Sequence, residues 1–420
     1  MENERKDIRT LAKKYEKLQT LMCYVNKETL LEQHKKQMKG KASGIDGITK
    51  EQYNENTEEN IEKLLINMKK FSYKPQAVRR TYIPKLGSDK LRPLGIPAYE
   101  DRLVQGCMSY VLNEIYETKF LDCSYGFRPN KNCHQAIREI NQRIMINKVN
   151  YVLDADIKSF FDNVDHKWLM EFLRHDIGDK NFLRYIARFL KSGIIEDLKY
   201  YESDKGTPQG GLISPVLANV YLHYVLDLWF EKGIKPKLKG EAYLVRYCDD
   251  FIIMFQYENE AQEVYELLKG RLKKFKLELA EDKTRILPFG RFKGNKESFD
   301  FLGFAHYNSK TRTNKYTIQH KISKKKKRAK KQAIKEWLKD NMHENLVDVI
   351  ERLNKKLVGM YAYYGINGMF DDLMGLYKYA KYGLYRVMCR RSQKKIKVAK
   401  YKLILERIPI AKPKIYVQIW

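Results

Sequence analysis

Several protein classes are excluded by what this 420-residue sequence lacks. It has no run of about 18 uncharged apolar residues, so no segment is predicted to cross a membrane as a helix. Its N-terminal residues are charged and favour a helix, without the apolar centre of a secretory signal peptide. We therefore expect no membrane partner.

Cysteines are few and scattered along the chain. The six are Cys23, Cys107, Cys123, Cys133, Cys248 and Cys389. No two of them form a Cys-x-x-Cys pair, which excludes a zinc ribbon and a disulfide scaffold and indicates reduced thiols. The sequence therefore predicts a cytoplasmic protein.

Acidic residues are too few to balance the basic ones. The sequence has 81 Lys and Arg against 52 Asp and Glu, a formal net charge of +29. The imbalance is greatest in residues 321–420, which hold 26 basic and 8 acidic residues. Because like charges on a compact chain repel one another, a bound polyanion would stabilise it. Nucleic acid is the expected partner.

Periodicity and turn signals predict an α+β fold. Residues 1–70 favour helices around a glycine-containing loop, and Thr49 is predicted to cap one helix that covers the rest of this segment. Residues 73–97 are predicted to form a β-hairpin that turns at "LGSDK", whereas 99–120 and 131–147 are predicted to be helices. No regular βαβ repeat is present.

The middle of the chain alternates between apolar β-segments and helices. The pattern predicts a strand, a turn and a helix in "NYVLDADIKSFFDNVDHKWL", and strands in "YLVRYCDDFIIMFQ" and "SFDFLGFAHY". Beyond residue 320 the sequence becomes basic and helical, with tyrosines between the cations.

Two adjacent aspartates, Asp249 and Asp250, stand between the apolar runs "LVRY" and "FIIMF". An Asp-Asp pair favours a turn, so we expect a β-hairpin that carries both residues at its tip. Two carboxylates held together need a counter-charge, and Mg²⁺ prefers oxygen ligands. A pair of such ions usually requires a third carboxylate.

Asp154 and Asp156 are the candidates for that third carboxylate. Alternation along "YVLDAD" places both on the polar face of one strand and does not choose between them. The alternative is that they cap the turn or helix that follows. Capping is the favoured interpretation for Asp162 and Asp165.

Eight ordered blocks lie within residues 35–305. They are "KGKASGIDG", "RRTYIPKLGSDKLRPLGIPAYEDRLVQ", "SYGFRPNKNCHQAI", "DADIKSFFD", "GTPQGGLISPVLANVYL", "YCDDF", "LELAEDKT" and "FDFLGF". Their order and spacing resemble those of reverse transcriptases, most closely those encoded by bacterial group II introns. Cys248 stands where that family usually has Ala.

The resemblance implies a right-hand polymerase with fingers, a palm with an antiparallel sheet and a helical thumb, followed by a C-terminal helical RNA-binding region. The implied divisions are an N-terminal extension with the first fingers segment, the fingers and palm core, the thumb, and a maturase-like segment. Their boundaries are 1–70, 71–310, 311–385 and 386–420.

The resemblance also assigns roles to single residues. It selects Asp156 over Asp154, because the family has an aromatic residue five positions after this ligand. The implied ligands of two Mg²⁺ ions are Asp156, Asp249, Asp250 and the carbonyl of Ile157. Mn²⁺ is a possible substitute for Mg²⁺. Phe161 would lie under the sugar of the incoming nucleotide and exclude a 2′-hydroxyl. Only one of Phe160 and Phe161 can face the site.

Further residues are implied to contact the nucleotide. Lys85 and Arg92 would reach the triphosphate, with Lys90 as a rival on the same turn, and Gln209 would lie against nucleotide and template. Lys283 would protonate the departing pyrophosphate, or it is simply a surface lysine at a helix end.

The implied function is RNA-directed DNA polymerisation from a primer 3′-hydroxyl, joined to a maturase role in splicing and retromobility. The partners would be an RNA template, a group II intron RNA, a DNA or RNA primer and dNTPs, and the choice between monomer and homodimer stays open. The RNA-binding candidates are Lys324, Lys325, Lys326, Lys327, Arg328, Arg390, Arg391, Lys394 and Lys395.

Two alternatives stay open at this stage. One is a domesticated reverse transcriptase in defence or repair, without a link to an intron. The other is an RNA-binding splicing factor without polymerase activity, against which the intact carboxylates argue. No His-Asn-His or Cys-pair pattern of a metal-dependent endonuclease is found, so no nicking activity is expected.

Overall fold

The computed structural model describes residues 7–84, 91–196, 199–202, 204–207, 210–293, 297–391, 393 and 395–419. These residues divide into two compact units. The described parts of Met1–Pro84, Lys90–Ala136 and Tyr151–Ile286 form the first unit, and those of Ile137–Asn150 and Leu287–Trp420 form the second.

Helices dominate the chain up to residue 286. They are α1 (Ile8–Lys14), α2 (Lys27–Lys36), α3 (Lys50–Asn54), α4 (Thr57–Lys69), α5 (Tyr99–Tyr116), α6 (Cys133–Ile146), α7 (Phe160–Asn163), α8 (His166–Asp176), α9 (Lys180–Leu190), α10 (Ser214–Leu222) and α11 (Glu258–Lys274). Short 3₁₀ segments lie at Leu21–Tyr24 and Lys235–Lys237, and π-helical segments at His223–Asp227 and Trp229–Ile234 follow α10.

The strands of the same part of the chain form two sheets. They are β1 (Val78–Pro84), β2 (Leu91–Ile96), β3 (Tyr151–Asp156), β4 (Ile194–Glu196), β5 (Lys199–Tyr201), β6 (Ala242–Tyr247), β7 (Asp250–Phe255) and β8 (Arg285–Pro288). One sheet has the order β2-β1-β4-β5 and the other β6-β7-β3-β8. In the second sheet β7 pairs antiparallel with both β3 and β6.

The second sheet is held in place by the core of the first unit. Leu153 of β3 and Ile253 of β7 are register partners, and both are fully buried in that core. Helix α11 packs on both strands. A strand whose two faces are both covered by apolar packing is held in a fixed position. The side chains at its ends are then also fixed, as a functional site at those ends requires.

The second unit combines a small sheet with long helices. Its elements are β9 (Ser298–Phe301), β10 (Phe304–Lys310), β11 (Tyr316–Ile322), α12 (Lys324–Asp340), α13 (Leu346–Tyr364), α14 (Phe370–Arg391) and α15 (Val398–Arg407). The strands form an antiparallel sheet of order β11-β10-β9, and α12 packs along α14.

Two sequence predictions of secondary structure are wrong in detail. Thr49 does cap a helix, with a complete capping box to Gln52, but that helix ends at Asn54 and α4 begins at Thr57. The break falls at "NEN", where asparagine favours caps over helix interiors. The segment "SFDFLGFAHY" forms two strands, because Leu302 and Gly303 both take positive φ and turn the chain between Phe301 and Phe304.

The structure shows where two of the predicted domain boundaries lie relative to its helices and strands. The division at 310/311 falls between the paired strands β10 and β11, so the segment expected to be helical thumb begins with a strand. The division at 385/386 falls inside α14. The domain boundaries stay predictions.

Candidate active site

The adjacent aspartates lie at a two-residue hairpin. Strands β6 and β7 are joined by Cys248 and Asp249, and Tyr247 pairs with Asp250. The prediction that both aspartates form the tip is therefore wrong: Asp249 lies in the turn, and Asp250 is the first residue of β7. Cys248 has a φ of 59°, a left-handed conformation at a turn position where glycine is favoured.

The pairing of β3 with β7 separates the two candidates for the third carboxylate. Asp156 is the register partner of Asp250, whereas Asp154 is opposite Ile252. Residues directly opposite in an antiparallel pair have Cα atoms about 5 Å apart. The structure thus brings Asp156, Asp249 and Asp250 to one end of the sheet and leaves Asp154 further along β3.

A short loop fixes the end of β3. The Ala280 amide donates to the Asp156 carbonyl over 2.8 Å, and the Lys158 amide donates to the Glu278 carbonyl over 2.9 Å. Ile157, proposed as a main-chain ligand, is buried and forms an isolated antiparallel bridge with Leu279. The same loop leads directly to Lys283.

The pKa values of Asp249 and Asp250 are both raised. The pKa of Asp250 is raised to about 7, first by desolvation and then by the charges of Asp249, Asp156 and Asp154, although the residue is exposed. The pKa of Asp249 is also raised, mainly by desolvation, while Arg92 opposes the shift. Desolvation and the repulsion between these carboxylates therefore both disfavour their charged forms.

Two cations already contact these carboxylates. Lys283 Nζ lies 2.5 Å from Asp156 Oδ2, and this hydrogen bond raises the pKa of the lysine. Arg285 Nε lies 3.7 Å from Asp154 Oδ2. The family resemblance implied a role for Lys283 at the pyrophosphate, whereas Arg285 was missed; the available signal was its position two residues beyond Lys283.

The donor chemistry of the site suits a hard divalent cation, since its groups are carboxylate oxygens. Within the described residues, however, no three His, Cys, Asp or Glu side chains already converge on a single point. The ammonium group of Lys283 occupies an oxygen of Asp156. An ion would therefore have to displace this lysine before it could use both oxygens of Asp156.

Phe160 and Phe161 differ in burial, as expected if only one of them faces the site. Phe160 is buried in the core, and Phe161 is only partly buried. Phe161 lines a groove of about 460 Å³ with Pro93, Gly95, Gly206 and other residues. The Thr207 amide donates to the Phe161 carbonyl over 2.8 Å, which holds that wall of the groove in place.

The other predicted nucleotide contacts are only partly described. The predicted hairpin of β1 and β2 is present, and Arg92 lies exposed on β2, paired with Ile83. Lys85, its rival Lys90, and Gln209 lie outside the described residues.

The predicted RNA-binding lysines begin α12 in the second unit. Lys324, Lys325, Lys326 and Arg328 are exposed. Lys327 instead forms an ion pair of 2.5 Å with Asp372 of α14. A groove of about 410 Å³ between these helices is lined by Lys324, Lys327, Arg328, Lys331, Gln332 and Tyr379.

The remaining RNA-binding candidates lie at the end of α14. Arg390 and Arg391 occupy its last turn, where Arg391 donates to the Glu344 carbonyl. Lys395 is exposed, and Lys394 lies outside the described residues.

In the described part of the chain no helix is long and apolar enough to cross a membrane.

Comparison with known proteins gives a consistent result. Residues 83–306 match the family described as "Reverse transcriptase (RNA-dependent DNA polymerase)". The chain is 35% identical to the group II intron-encoded protein LtrA of Lactococcus lactis, over 59% of this chain and 50% of LtrA. It is 32% identical to protein YkfC of Escherichia coli, over 64% of this chain and 77% of YkfC.

A more distant relative is the nuclear intron maturase 1 of Arabidopsis thaliana, 29% identical over 27% of this chain and 16% of its own length. The chain thus spans about half the length of LtrA and most of YkfC. The family match covers more than half of this chain and includes the whole carboxylate site. The chain therefore belongs to the reverse transcriptase family, and it is similar to a protein encoded by a group II intron.

Proposed function

We propose that this chain is an RNA-directed DNA polymerase that adds dNTPs to a primer 3′-hydroxyl on an RNA template. The observation that carries the proposal is the pairing of Asp156 with Asp250, next to Asp249 in the hairpin turn. Phosphoryl transfer depends on positioning and on stabilisation of negative charge, and a cluster of carboxylates at a strand end suits both when it binds cations.

The metal ligands we propose are Asp156, Asp249, Asp250 and the carbonyl of Ile157. They would hold two Mg²⁺ ions, with Mn²⁺ as a substitute. When bound, such ions offset charge on the phosphate oxygens and lower the pKa of the attacking hydroxyl. The raised pKa of Asp250, caused first by desolvation and then by neighbouring carboxylates, supports this assignment, since a bound cation would favour the charged form that both effects disfavour.

The remaining side chains of the site bind and orient the substrate. Arg92 would bind the triphosphate, because a guanidinium group pairs well with phosphate oxygens. Phe161 would pack under the sugar in the groove that it lines. Lys283, once released from its hydrogen bond to Asp156, would donate a proton from Nζ to the departing pyrophosphate.

The second unit would bind intron RNA, so that the chain also acts as a maturase in splicing and retromobility. The exposed cations at the start of α12 and the adjoining groove support this role, because lysines contact phosphates and an aromatic ring such as Tyr379 can stack on a base. None of the six cysteines, all of which the structure describes, forms a disulfide, and this supports the proposal that the protein works in the cytoplasm.

The test is primer extension on an RNA template with dNTPs, run with Mg²⁺, with Mn²⁺ and with chelator. Extension that requires the divalent ion is expected. RNA binding without extension under every condition would reject the polymerase and favour the alternative of a splicing factor. A splicing assay on the RNA that flanks the gene separates an intron-linked enzyme from one that works in defence or repair.

A further inference from the structure

An entirely buried arginine, Arg246, lies beneath the turn formed by Cys248 and Asp249, which we call the catalytic turn. Arg246, on β6, has 0% of its surface exposed, and so does Asp227 at the end of the π-helical segment His223–Asp227. Burial of two charges is costly, and replacement of such a pair by apolar residues is often neutral or stabilising. The pair therefore needs an explanation other than stability.

Every donor of this guanidinium group has a partner. Nε and Nη2 donate to the two oxygens of Asp227 over 2.6 and 2.5 Å, and Nη2 also donates to Ser124 Oγ over 2.8 Å. Nη1 donates to Asn219 Oδ1 and to the carbonyl of Cys248, each over 3.0 Å. Since arginine has five N–H groups, the set is complete.

The contact with Cys248 reaches the catalytic turn itself. Cys248 directly precedes Asp249 and takes a φ of 59°, a strained conformation for a non-glycine residue that persists only where surrounding contacts enforce it. The Nη1 donor of Arg246 is such a contact, and it acts on the main chain of the strained residue.

A neighbouring segment encloses the same turn. The Arg246 amide donates to the Cys123 carbonyl over 2.7 Å, and the Tyr125 amide donates to the Arg246 carbonyl over 2.8 Å. Asn219 Nδ2 donates to the Gly126 carbonyl over 2.7 Å. A Cβ atom on Gly126 would lie 2.5 Å from the Cys248 nitrogen, so this segment packs directly against the turn.

We propose that Arg246 is a positioning residue, which holds the Cys248 carbonyl and thereby sets the position of Asp249 for nucleotide transfer. The two oxygens of Asp227 and the side chain of Asn219 orient its guanidinium group so that one N–H of Nη1 points at that carbonyl. The effect on catalysis depends on the proposed polymerase function, but the effect on the turn does not.

The first variant is Arg246→Lys, which keeps the positive charge and lacks the planar fork. Since a misplacement of about 1 Å can lower a rate about 100-fold, we expect kcat for primer extension to fall by about that factor. KM for dNTP and affinity for primer–template should stay near their wild-type values. The control is Ser124→Ala, which removes a different partner of the same guanidinium group and leaves the Cys248 contact in place.

The second readout measures the turn without any catalysis. Site-resolved alkylation with a maleimide, followed by mass spectrometry, reports the accessibility of each cysteine. Cys248 and Cys107 are both buried in the wild type, whereas Cys23 is exposed. Arg246→Lys should speed alkylation of Cys248 at least tenfold more than that of Cys107, because only the turn is released; Ser124→Ala should not.

A double variant covers the case in which Arg246→Lys does not fold. Arg246→Met combined with Asp227→Leu removes both charges, which buried pairs often tolerate, and leaves the Cys248 carbonyl without its donor. The same fall in kcat and the same exposure of Cys248 are expected. Wild-type kcat in this double variant, unchanged alkylation of Cys248, or an equal rise at Cys107 would each overturn the proposal. If the wild type extends no primer, the polymerase proposal fails, and the alkylation data still decide the role of Arg246.

Discussion

Asp156 and Asp250 are direct register partners on β3 and β7, although they are far apart in the sequence. Neither strand alone defines a site, since each contributes only one carboxylate at its end. The hydrogen-bonded register brings the two together, and the turn through Cys248 adds Asp249. The chemistry of the proposed polymerase depends on this register.

Loss of one carboxylate in the turn should stop catalysis. We expect Asp249→Asn to lower primer extension by more than about 100-fold, as does the loss of a group that stabilises transition-state charge. RNA binding, measured by fluorescence anisotropy, should change little. The matched control is Asp154→Asn, since Asp154 is opposite Ile252 and pairs with Arg285. Near-wild-type extension by Asp249→Asn would show that the carboxylate assignment is wrong.

The partly buried Phe161 should control the choice of sugar. Phe161→Ala removes the ring under the nucleotide, so the preference for dNTP over rNTP should fall on the order of 10- to 100-fold, as expected for apolar contacts that discriminate between substrates. The measurement is kcat/KM for each nucleotide. Phe160→Leu, a change in the buried neighbour, should lower stability slightly and leave the preference unchanged. Equal effects of both variants would contradict the assignment.

The exposed start of α12 should contribute to RNA affinity by pairing with phosphates. Changing Lys324, Lys325 and Lys326 to Gln should weaken binding and reduce the slope of log K against log salt by about 0.7–0.9 for each phosphate that is no longer neutralised. Lys327 is left intact because it pairs with Asp372. Changing Lys63, Lys69 and Lys70 of the first unit alters the net charge equally and serves as the control. An unchanged slope in the α12 variant would refute this role of the lysines.

Buried histidines should make the second unit sensitive to acid. His306 and His320 are register partners, with His320 Nε2 and His306 Nδ1 3.1 Å apart, and burial lowers the pKa of His320 from 6.5 to about 4. Because the folded protein disfavours the charged imidazole, the contribution of His320 to stability is fully present above pH 6.5, the pKa of histidine in the unfolded chain. This contribution is lost as the pH falls from 6.5 toward 4, the pKa of His320 in the folded protein. The shift corresponds to about 3 kcal/mol.

His320→Gln tests this pH dependence, since it keeps a polar partner for His306 and removes one titrating group. Thermal unfolding of the wild type should show a larger fall in Tm over that pH range than unfolding of the variant. Parallel pH profiles would show that the pair does not titrate with unfolding. Tyr316→Phe, in the same sheet, controls for the loss of a polar group without a change of titration.

Local patterns predicted much of the secondary structure. The hairpin of β1 and β2, the basic helix α12 and the β-segments around Asp249 are present, because proline, charge runs and apolar alternation act over a few residues. The hairpin turn at Leu302 was missed, since leucine gives no signal for a positive φ. The pairing of Lys327 with Asp372 was missed because the partner lies on another helix.

The sequence by itself determined the class of fold, the basic character of the C-terminal region and the set of carboxylates from which a site can be built. Alternation places Asp154 and Asp156 on one face of a strand, and it does not specify which residue of another strand lies opposite. Only the tertiary structure decided that Asp156 meets Asp250, that Asp249 alone of the pair lies in the turn, and that Arg246 is buried beneath it. The physical reason is that register and burial arise from hydrogen bonds and packing between segments that are distant in the chain.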